Sequence, residues 1–371
     1  MKHFNWLILL VALAFVGCND DDTTSDQPVD DLGPLQAAVD NNLSWTWMGS
    51  DEMRSRNGTS TGYLVNLNSN SDKLVVYLQG GGACFNPLTC AGNRDAYTNN
   101  EGINGANVLN DGFFPLLNRA NTSLFISDWN WIFVPYSTGD LHSGTNSDGD
   151  VPFNGPQDQR MEGSANMNKI VADLQQYTDS FSEIIVTGSS AGGYGVYLTF
   201  PKFAEAYPNA SMTGLSDAGP IFTTDSAADN CLGESWESLF QFDYPSDYNT
   251  VVTGNYDYAY QGAYEYLSKK YPQHEFGLMS DYKDEVLRFF YGFDANNCDE
   301  NTVQVSAEEL DLATREIQNT LQNFDNWKVF FKDSDAHTFL GDRFSAESIN
   351  GRVVIDWIED LTQGNAVDLM E

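Results

Sequence analysis

The stretch EIIVTGSSAGGYGVYL, at positions 183–198, constrains the fold of this chain more than any other. A continuous apolar run leads into the small residues GSSAG, and a segment compatible with a helix follows at once. This order predicts a buried strand, a tight turn and a helix, with Ser190 at the tip of the turn. G-x-S-x-G in that context is typical of a serine nucleophile whose hydroxyl projects above a parallel sheet.

Apolar runs and amphipathic segments alternate along the rest of the chain. Strands are predicted at 63–67, 73–79, 131–136, 183–188, 211–217, 275–280 and 327–331, and helices at 160–180, 191–207, 306–324 and 345–362. Continuous apolar strands between amphipathic helices predict an α/β fold, with a mostly parallel sheet covered by helices on both faces. Because no linker divides the chain after its N-terminal region, we expect one domain spanning 34–371.

The N-terminal region reads as an export signal. Residues 1–17 have a basic start and an apolar run, and they end in FVG before Cys18. This ending resembles a bacterial lipobox, which predicts lipidation of Cys18 and anchoring to the outer membrane; a plain signal peptide is the alternative. Residues 18–33 are polar and acidic, which predicts a disordered tether and resembles the surface-export signals of Bacteroidetes lipoproteins.

The net charge of −35 excludes several classes of partner. Nucleic acid and anionic membrane surfaces would be repelled, so contact with a membrane is expected only through the lipid anchor. The predicted tether holds six of the 53 acidic residues, so most of the acidity belongs to the domain itself. We expect a soluble monomer that acts on a small or polymeric substrate.

Five cysteines fit an oxidising compartment. With Cys18 lipidated, four remain: Cys84 and Cys90 would close the short loop CFNPLTC, and Cys231 would then pair with Cys298. The chain has no C-x-x-C pair and no histidine cluster, which argues against zinc. The oxygen-rich segment at 145–155 lacks a complete calcium-loop pattern. No metal and no cofactor is expected.

A serine nucleophile needs a base, and three histidines follow the predicted signal peptide. The chain order serine, acid, histidine places His142 too early. His274 lies in a charged turn and is expected to be a solvated surface residue. His337 follows the last predicted strand, where a loop carrying the base should lie, and it is the predicted base.

The orienting carboxylate must follow a strand between Ser190 and His337. Asp281 and Asp284 follow one strand, and the sequence pattern does not separate them. Asp217 ends an earlier strand and is either a third candidate or a structural anchor.

An oxyanion site needs backbone amides that face the nucleophile. The run VVYLQGGGACF places three glycines directly after an early strand. This arrangement predicts Gly81 and Gly82 as donors, together with the amide of Ala191.

A second loop, PYSTGDLHSGT, follows the strand at 131–136 and reaches the same edge of the sheet. Asp140 and His142 in this loop are candidates for the wall of a substrate cleft. The alternative for Asp140 is that it stabilises its own loop.

Six motifs occur in order between about residues 74 and 340: LQGGGACFNPLTC, PYSTGDLHSG, GSSAGG, SDAGP, KDEVLRFFYGF and HTF. Together they resemble the pectin acetylesterase and Notum family of serine carboxylesterases. The resemblance implies an α/β-hydrolase fold with a Ser190, Asp284 and His337 triad and with oxyanion amides at Gly81, Gly82 and Ala191. Two departures affect the substrate: Gly82-Ala83 stands where family members often carry tryptophan, implying a wider or reshaped pocket mouth, and Notum has many more cysteines.

These observations predict an esterase that forms an acyl-enzyme and removes acetate from an acetylated glycan. A neutral polysaccharide, or pectin at marine salinity, suits the negative charge better than polygalacturonate at low salt. Two alternatives remain at this point: a broader acyl-ester or lipid hydrolase, and a surface glycan-binding lipoprotein without turnover.

Overall fold

The computed structural model describes residues 35–112, 114–223, 231–293 and 303–371, which belong to one compact unit. The predictions for the signal peptide at 1–17, for Cys18, for the tether at 18–33 and for Cys298 lie outside the described residues. In the described ranges, no helix combines the length and the apolar character that crossing a membrane requires.

The described residues form a nine-stranded sheet in the order β1-β2-β4-β3-β7-β8-β9-β10-β13. The strands from β4 to β13 in this order pair in parallel, while β1 and β2 pair antiparallel at one edge. Its members are β1 (Thr46–Arg54), β2 (Ser60–Asn66), β3 (Lys73–Leu78), β4 (Asn130–Val134), β7 (Glu183–Ser189), β8 (Ser211–Asp217), β9 (Glu275–Asp281), β10 (Trp327–Lys332) and β13 (Leu369–Met370). Two small hairpins pair β5 (Asn146–Gly149) with β6 (Gln159–Met161) and β11 (Ser348–Ile349) with β12 (Arg352–Val353).

Helices connect these strands. They are α1 (Gln36–Asp40), α2 (Pro87–Gly92), α3 (Asn99–Asn110), α4 (Gly163–Tyr177), α5 (Ala191–Ala206), α6 (Leu232–Phe240), α7 (Tyr248–Val251), α8 (Ala263–Lys270), α9 (Glu285–Tyr291), α10 (Ala307–Leu321) and α11 (Val354–Thr362), with 3₁₀ turns at Pro115–Leu117 and Ala259–Gly262. Ser306 and Glu309 form a capping box at the start of α10.

Two apolar cores lie on opposite faces of the sheet. In β7, Ile184 and Val186 belong to one core and Ile185 to the other, because successive strand side chains point to opposite faces. The first core takes most of its helical side chains from α4, α5, α6, α8, α9 and α10, and the second from α3 and α11. This arrangement confirms the predicted α/β fold with helices on both faces.

The closing helix is shorter than predicted. The sequence predicted a helix over 345–362, but α11 begins at Val354 and is preceded by the β11–β12 hairpin. Asn350 and Gly351, with φ of 51° and 81°, form the two-residue turn of that hairpin. Asn-Gly is a favoured pair for such a turn, and this local signal outweighs the helical spacing around it.

Candidate active site

The predicted elbow is present between β7 and α5. Ser190 has φ 56° and ψ −123°, a conformation that non-glycine residues rarely adopt. Its N–H donates to the backbone oxygen of Asp217 at 2.7 Å. The start of α5 presses against the end of β3, since a Cβ at Gly192 would lie 2.0 Å from the Leu78 oxygen. Only glycine allows this approach, which holds the strained turn in place.

His337 and Asp284 meet at the carboxyl end of the sheet. Nδ1 of His337 lies 2.7 Å from Oδ2 of Asp284, whose side chain is fully buried. The other oxygen of Asp284 accepts the N–H groups of Val286 and Leu287, both at 2.9 Å, and so caps α9. A proton on Nδ1 leaves Nε2 of His337 as an acceptor, which is the tautomer that a general base requires.

The other two carboxylates considered from the sequence have different partners. Asp281 accepts two hydrogen bonds from the guanidinium of Arg343, at 2.6 and 2.9 Å. Asp217 accepts the N–H groups of Phe339 and Leu340. The structure therefore shows that Asp284, and not Asp281, contacts His337, a distinction that the sequence pattern does not make.

The electrostatics around His337 favour its protonated form. Burial by itself lowers the pKa of His337, but the hydrogen bond and charge of Asp284, with the charges of Asp217 and Asp281, raise the pKa above the usual value of 6.5. Burial also raises the pKa of the Asp217 carboxyl to about 6. An imidazolium formed next to Ser190 would be stabilised by these carboxylates.

The residues predicted for the oxyanion site line the cavities at Ser190. Gly81 and Gly82 line the cleft that contains Ser190, and Gly82 and Ala191 line a smaller cavity beside it. Among the described residues, none accepts a hydrogen bond from the backbone N–H of Gly81, Gly82 or Ala191. Gly82 has φ +77°, which is readily accessible to glycine.

Two cavities of different size meet at Ser190. The smaller one has a volume of about 20 Å³ and is enclosed by Leu141, Tyr194, Trp236, Phe290 and their neighbours. The larger one is an open cleft of about 630 Å³, which His337 also lines. The ring of Phe290 lies over Gly82, where a Cβ would come within 2.8 Å of Cζ. The Phe290 ring therefore occupies the space next to Gly82, where the sequence predicted a wider or reshaped pocket mouth.

Asp140 and His142 do not line either cavity. Asp140 is fully buried and accepts hydrogen bonds from the Thr138 hydroxyl and the Gly163 N–H, so it stabilises its own loop. Nε2 of His142 donates to the Gln79 oxygen at 2.8 Å, directly before the glycine run. Burial lowers the pKa of His142 to about 4, so it is neutral at pH 7. The cleft-wall prediction for this pair is wrong, because both side chains turn inward to support loops.

Other predicted residues lie as follows. Cys84 and Cys90 form the predicted disulfide. Cys231 is also disulfide-bonded, and its predicted partner, Cys298, lies outside the described residues. His274 is buried rather than solvated, and its Nδ1 accepts the Met212 N–H at 3.3 Å. In the described ranges, no group of three or more histidine, cysteine or acidic side chains could hold a metal ion.

The sequence did not single out Tyr77, Ser189, Trp236 and Phe290. The first two form a hydrogen-bonded pair next to the elbow, and the last two form the wall of the small cavity. Position after a strand could have indicated Ser189, but nothing local distinguishes Trp236 or Phe290 from core aromatic residues.

Comparisons with known proteins agree with this architecture. The chain is similar to the palmitoleoyl-protein carboxylesterase notum1a of Danio rerio, at 25% identity over 187 residues, which cover 49% of this chain and 36% of that protein. It is 26% identical to the palmitoleoyl-protein carboxylesterase NOTUM of Homo sapiens over 168 residues, covering 44% of this chain and 33% of that one. The chain thus spans about a third of the length of the curated relatives it matches.

A solved structure shares the fold. The Wnt deacylase Notum from Drosophila superposes with a TM-score of 0.59 at 16% identity, covering 89% of this chain and 96% of that one. The sequence model of the family described as Pectinacetylesterase matches residues 49–249, more than half of the 371 residues. The resemblance seen in the motifs is confirmed, and the chain belongs to the pectinacetylesterase family.

Proposed function

We propose that this protein is a serine esterase in which Ser190 is the nucleophile, His337 the general base and Asp284 the residue that orients the base. The observation that carries the proposal is the 2.7 Å contact between His337 Nδ1 and Asp284 Oδ2, in a cleft that also contains Ser190. Membership of the pectinacetylesterase family supports the same chemistry.

The proposed reaction has two halves. Nε2 of His337 takes the hydroxyl proton as Ser190 attacks the ester carbonyl, and the amides of Gly81, Gly82 and Ala191 stabilise the oxyanion. The imidazolium then protonates the departing alcohol, leaving an acyl group on Ser190. Water, deprotonated by His337, attacks this acyl-enzyme; the bond to the Ser190 oxygen then breaks, the imidazolium returns the proton to that oxygen, and the acid is released.

The acyl group is acetyl. The cavity beside Ser190 and Ala191 measures about 20 Å³, which is space for roughly one water molecule or a group of similar size. Its wall is braced, since Tyr194 packs edge-on against Trp236 and shares a hydrogen bond with Tyr291 at 2.8 Å. A methyl group suits this space, whereas a long acyl chain would require the aromatic wall to move.

The alcohol side of the ester is a neutral glycan. The open cleft of about 630 Å³ has room for sugar units next to the nucleophile. Apart from His337, the described residues that line it carry no charged side chain. A polyuronate would find no cation there, and the net charge of −35 would repel it at low salt.

Esters of increasing chain length test the esterase and its acyl preference together. We would compare hydrolysis of p-nitrophenyl acetate, butyrate and octanoate by the wild type and by Ser190→Ala. The expected result is a rate that falls with chain length and is lost in the variant. Equal background rates in both folded proteins would favour a glycan-binding protein without turnover.

The second candidate is a hydrolase of longer acyl esters. The similarity to palmitoleoyl-protein carboxylesterases favours it. A higher kcat/KM for octanoate than for acetate would move the assignment to this candidate, with the same serine as nucleophile.

Acetate release from polymers tests the glycan. We expect acetylated xylan or mannan to be deacetylated faster than acetylated pectin at low salt, with the gap narrowing as salt screens the repulsion. Faster release from pectin at low salt would contradict the neutral-substrate assignment.

The export predictions complete the proposal. The mature protein begins at a lipidated Cys18 in the outer membrane, and its domain acts as a monomer. Metabolic labelling with an alkyne fatty acid should mark the wild type and not Cys18→Ser. Light scattering of the domain without its tether should give the mass of one chain.

A further inference from the structure

A buried carboxylate outside the proposed triad collects four hydrogen bonds at the end of β8. Asp217 is fully buried. Its Oδ1 accepts the Phe339 N–H at 2.9 Å, and its Oδ2 accepts the Phe339 N–H at 3.0 Å, the Leu340 N–H at 2.9 Å and the Ser189 hydroxyl at 2.7 Å. The proposed reaction uses none of these atoms.

These bonds attach both reacting groups to one residue. Ser189 directly precedes Ser190, whose own N–H donates to the backbone oxygen of Asp217 at 2.7 Å. Phe339 follows His337 by two residues. Asp217 therefore holds Ser190 through the adjacent residue Ser189, and it holds His337 through the loop in which that histidine lies.

The loop carrying the base is strained at the point where Asp217 holds it. Thr338 lies between His337 and Phe339 and has φ 64°, a conformation that is a genuine outlier for a β-branched residue. Such strain persists only where surrounding contacts impose it, and it is concentrated at functional sites. The hydrogen bonds of Asp217 to the two following amides, and that of Arg343 to the Thr338 oxygen at 3.1 Å, impose it here.

We propose that Asp217 is a positioning residue for ester hydrolysis, which fixes the His337 loop against the Ser190 elbow and places an uncompensated negative charge near the imidazole. This inference rests on the proposed function. Asparagine could not replace the carboxylate, because it offers one acceptor oxygen in place of two.

The Asp217 carboxylate differs from the carboxylates of Asp281 and Asp284 in the groups that it contacts. Three carboxylates, Asp284, Asp217 and Asp281, raise the pKa of His337. Asp281 is neutralised by Arg343, and Asp284 bonds the imidazole directly. In the part of the chain that the structure describes, no basic side chain forms an ion pair with Asp217. Its charge thus acts on His337 without a cation to offset it once the pH is above about 6, the value to which burial raises its pKa.

Asp217→Asn tests the proposal, with Asp173→Asn as the matched control. Asp173 is also a buried carboxylate with a hydroxyl partner, Tyr63, but its second partner is Lys169, and its hydrogen bonds reach neither the Ser190 turn nor the His337 loop. For p-nitrophenyl acetate, we expect Asp217→Asn to lower kcat roughly 10- to 100-fold with little change in KM, because the base is misplaced relative to the serine. Loss of the negative charge should also move the acidic limb of the kcat/KM profile to lower pH, which a purely structural change would not do.

The controls separate the possible failures. Asp173→Asn should keep the wild-type kcat and pH profile, even if it melts at a lower temperature. A folded Asp217→Asn protein with unchanged kcat or an unmoved limb would overturn the proposal. If Asp217→Asn does not fold, Ser189→Ala decides the question. A several-fold lower kcat, with the acidic limb of the kcat/KM profile at its wild-type pH, supports the proposal. A wild-type kcat overturns it. Activity that survives in Ser190→Ala would instead overturn the proposed function.

Discussion

Asp284 uses its two oxygens for two different purposes, one for the α9 cap and one for His337. We expect Asp284→Asn to keep the cap through its amide oxygen while its NH₂ group faces Nδ1. The imidazole would then carry its proton on Nε2, the wrong nitrogen for a base. By analogy with serine hydrolases, kcat should fall roughly 10³- to 10⁴-fold with KM little changed.

Two further variants separate this effect from stability. Asp284→Ala should also lose the cap, at a cost of about 1 kcal/mol in the free energy of unfolding. Asp281→Asn breaks a buried ion pair and should reduce stability more than it reduces kcat per folded molecule. An Asp284→Asn protein with wild-type kcat, measured with p-nitrophenyl acetate, would exclude Asp284 as the residue that orients the base.

The pKa of His337 predicts the pH dependence of the reaction. The base must be neutral to accept the serine proton, and the carboxylates around it raise its pKa above 6.5. Activity should therefore be lost on acidification through a pKa above 6.5, and it should be fully present on the alkaline side. The profile of kcat/KM against pH measures this limb, and a midpoint below 6 would contradict the assignment.

Among the elements, we expect the short helix α9 to limit which acyl group fits. Phe290 on this helix lines both the small cavity and the open cleft, and it is only half-buried. We expect Phe290→Ala to join the two spaces and to raise the ratio of octanoate to acetate kcat/KM by about 10-fold or more. Phe289→Ala is the matched control, because Phe289 lines the cleft but not the small cavity. An unchanged ratio in Phe290→Ala would show that this ring does not limit the acyl chain.

The elements also show what sequence patterns can predict. The strand at 183–189 and the turn after it follow from local apolar runs and small residues, so Ser190 could be placed directly. Asp284 could be preferred over Asp281 only by resemblance, since the difference lies in Arg343, which is distant in sequence and takes Asp281 as its partner. Whether Asp140 and His142 line the cleft could not be decided from the sequence, because position after a strand does not reveal whether a side chain faces the cleft or the core. The size of the small cavity beside Ser190 depends on residues from two loops and from helices α5, α6 and α9, which no local pattern records.

For the whole molecule, the dominant feature is the net charge of −35. Self-repulsion of this kind destabilises the compact state and is screened by salt. We expect the Tm to rise between 10 mM and 0.5 M NaCl, by roughly 1–3 °C for about 1–2 kcal/mol in a protein of this size. Differential scanning calorimetry measures this, with sucrose as an uncharged control. A Tm that is independent of NaCl would mean that ion pairs and local geometry already offset the repulsion.

The central claim is that Ser190 carries the acyl group during turnover. The most direct measurement is mass spectrometry of the protein after reaction with a fluorophosphonate, with the adduct located by peptide mapping. The account predicts one adduct, on the peptide that contains Ser190, together with loss of p-nitrophenyl acetate hydrolysis; labelling should be absent in Ser190→Ala and strongly slowed in His337→Ala. An adduct on another residue, or undiminished hydrolysis by a fully labelled protein, would contradict it.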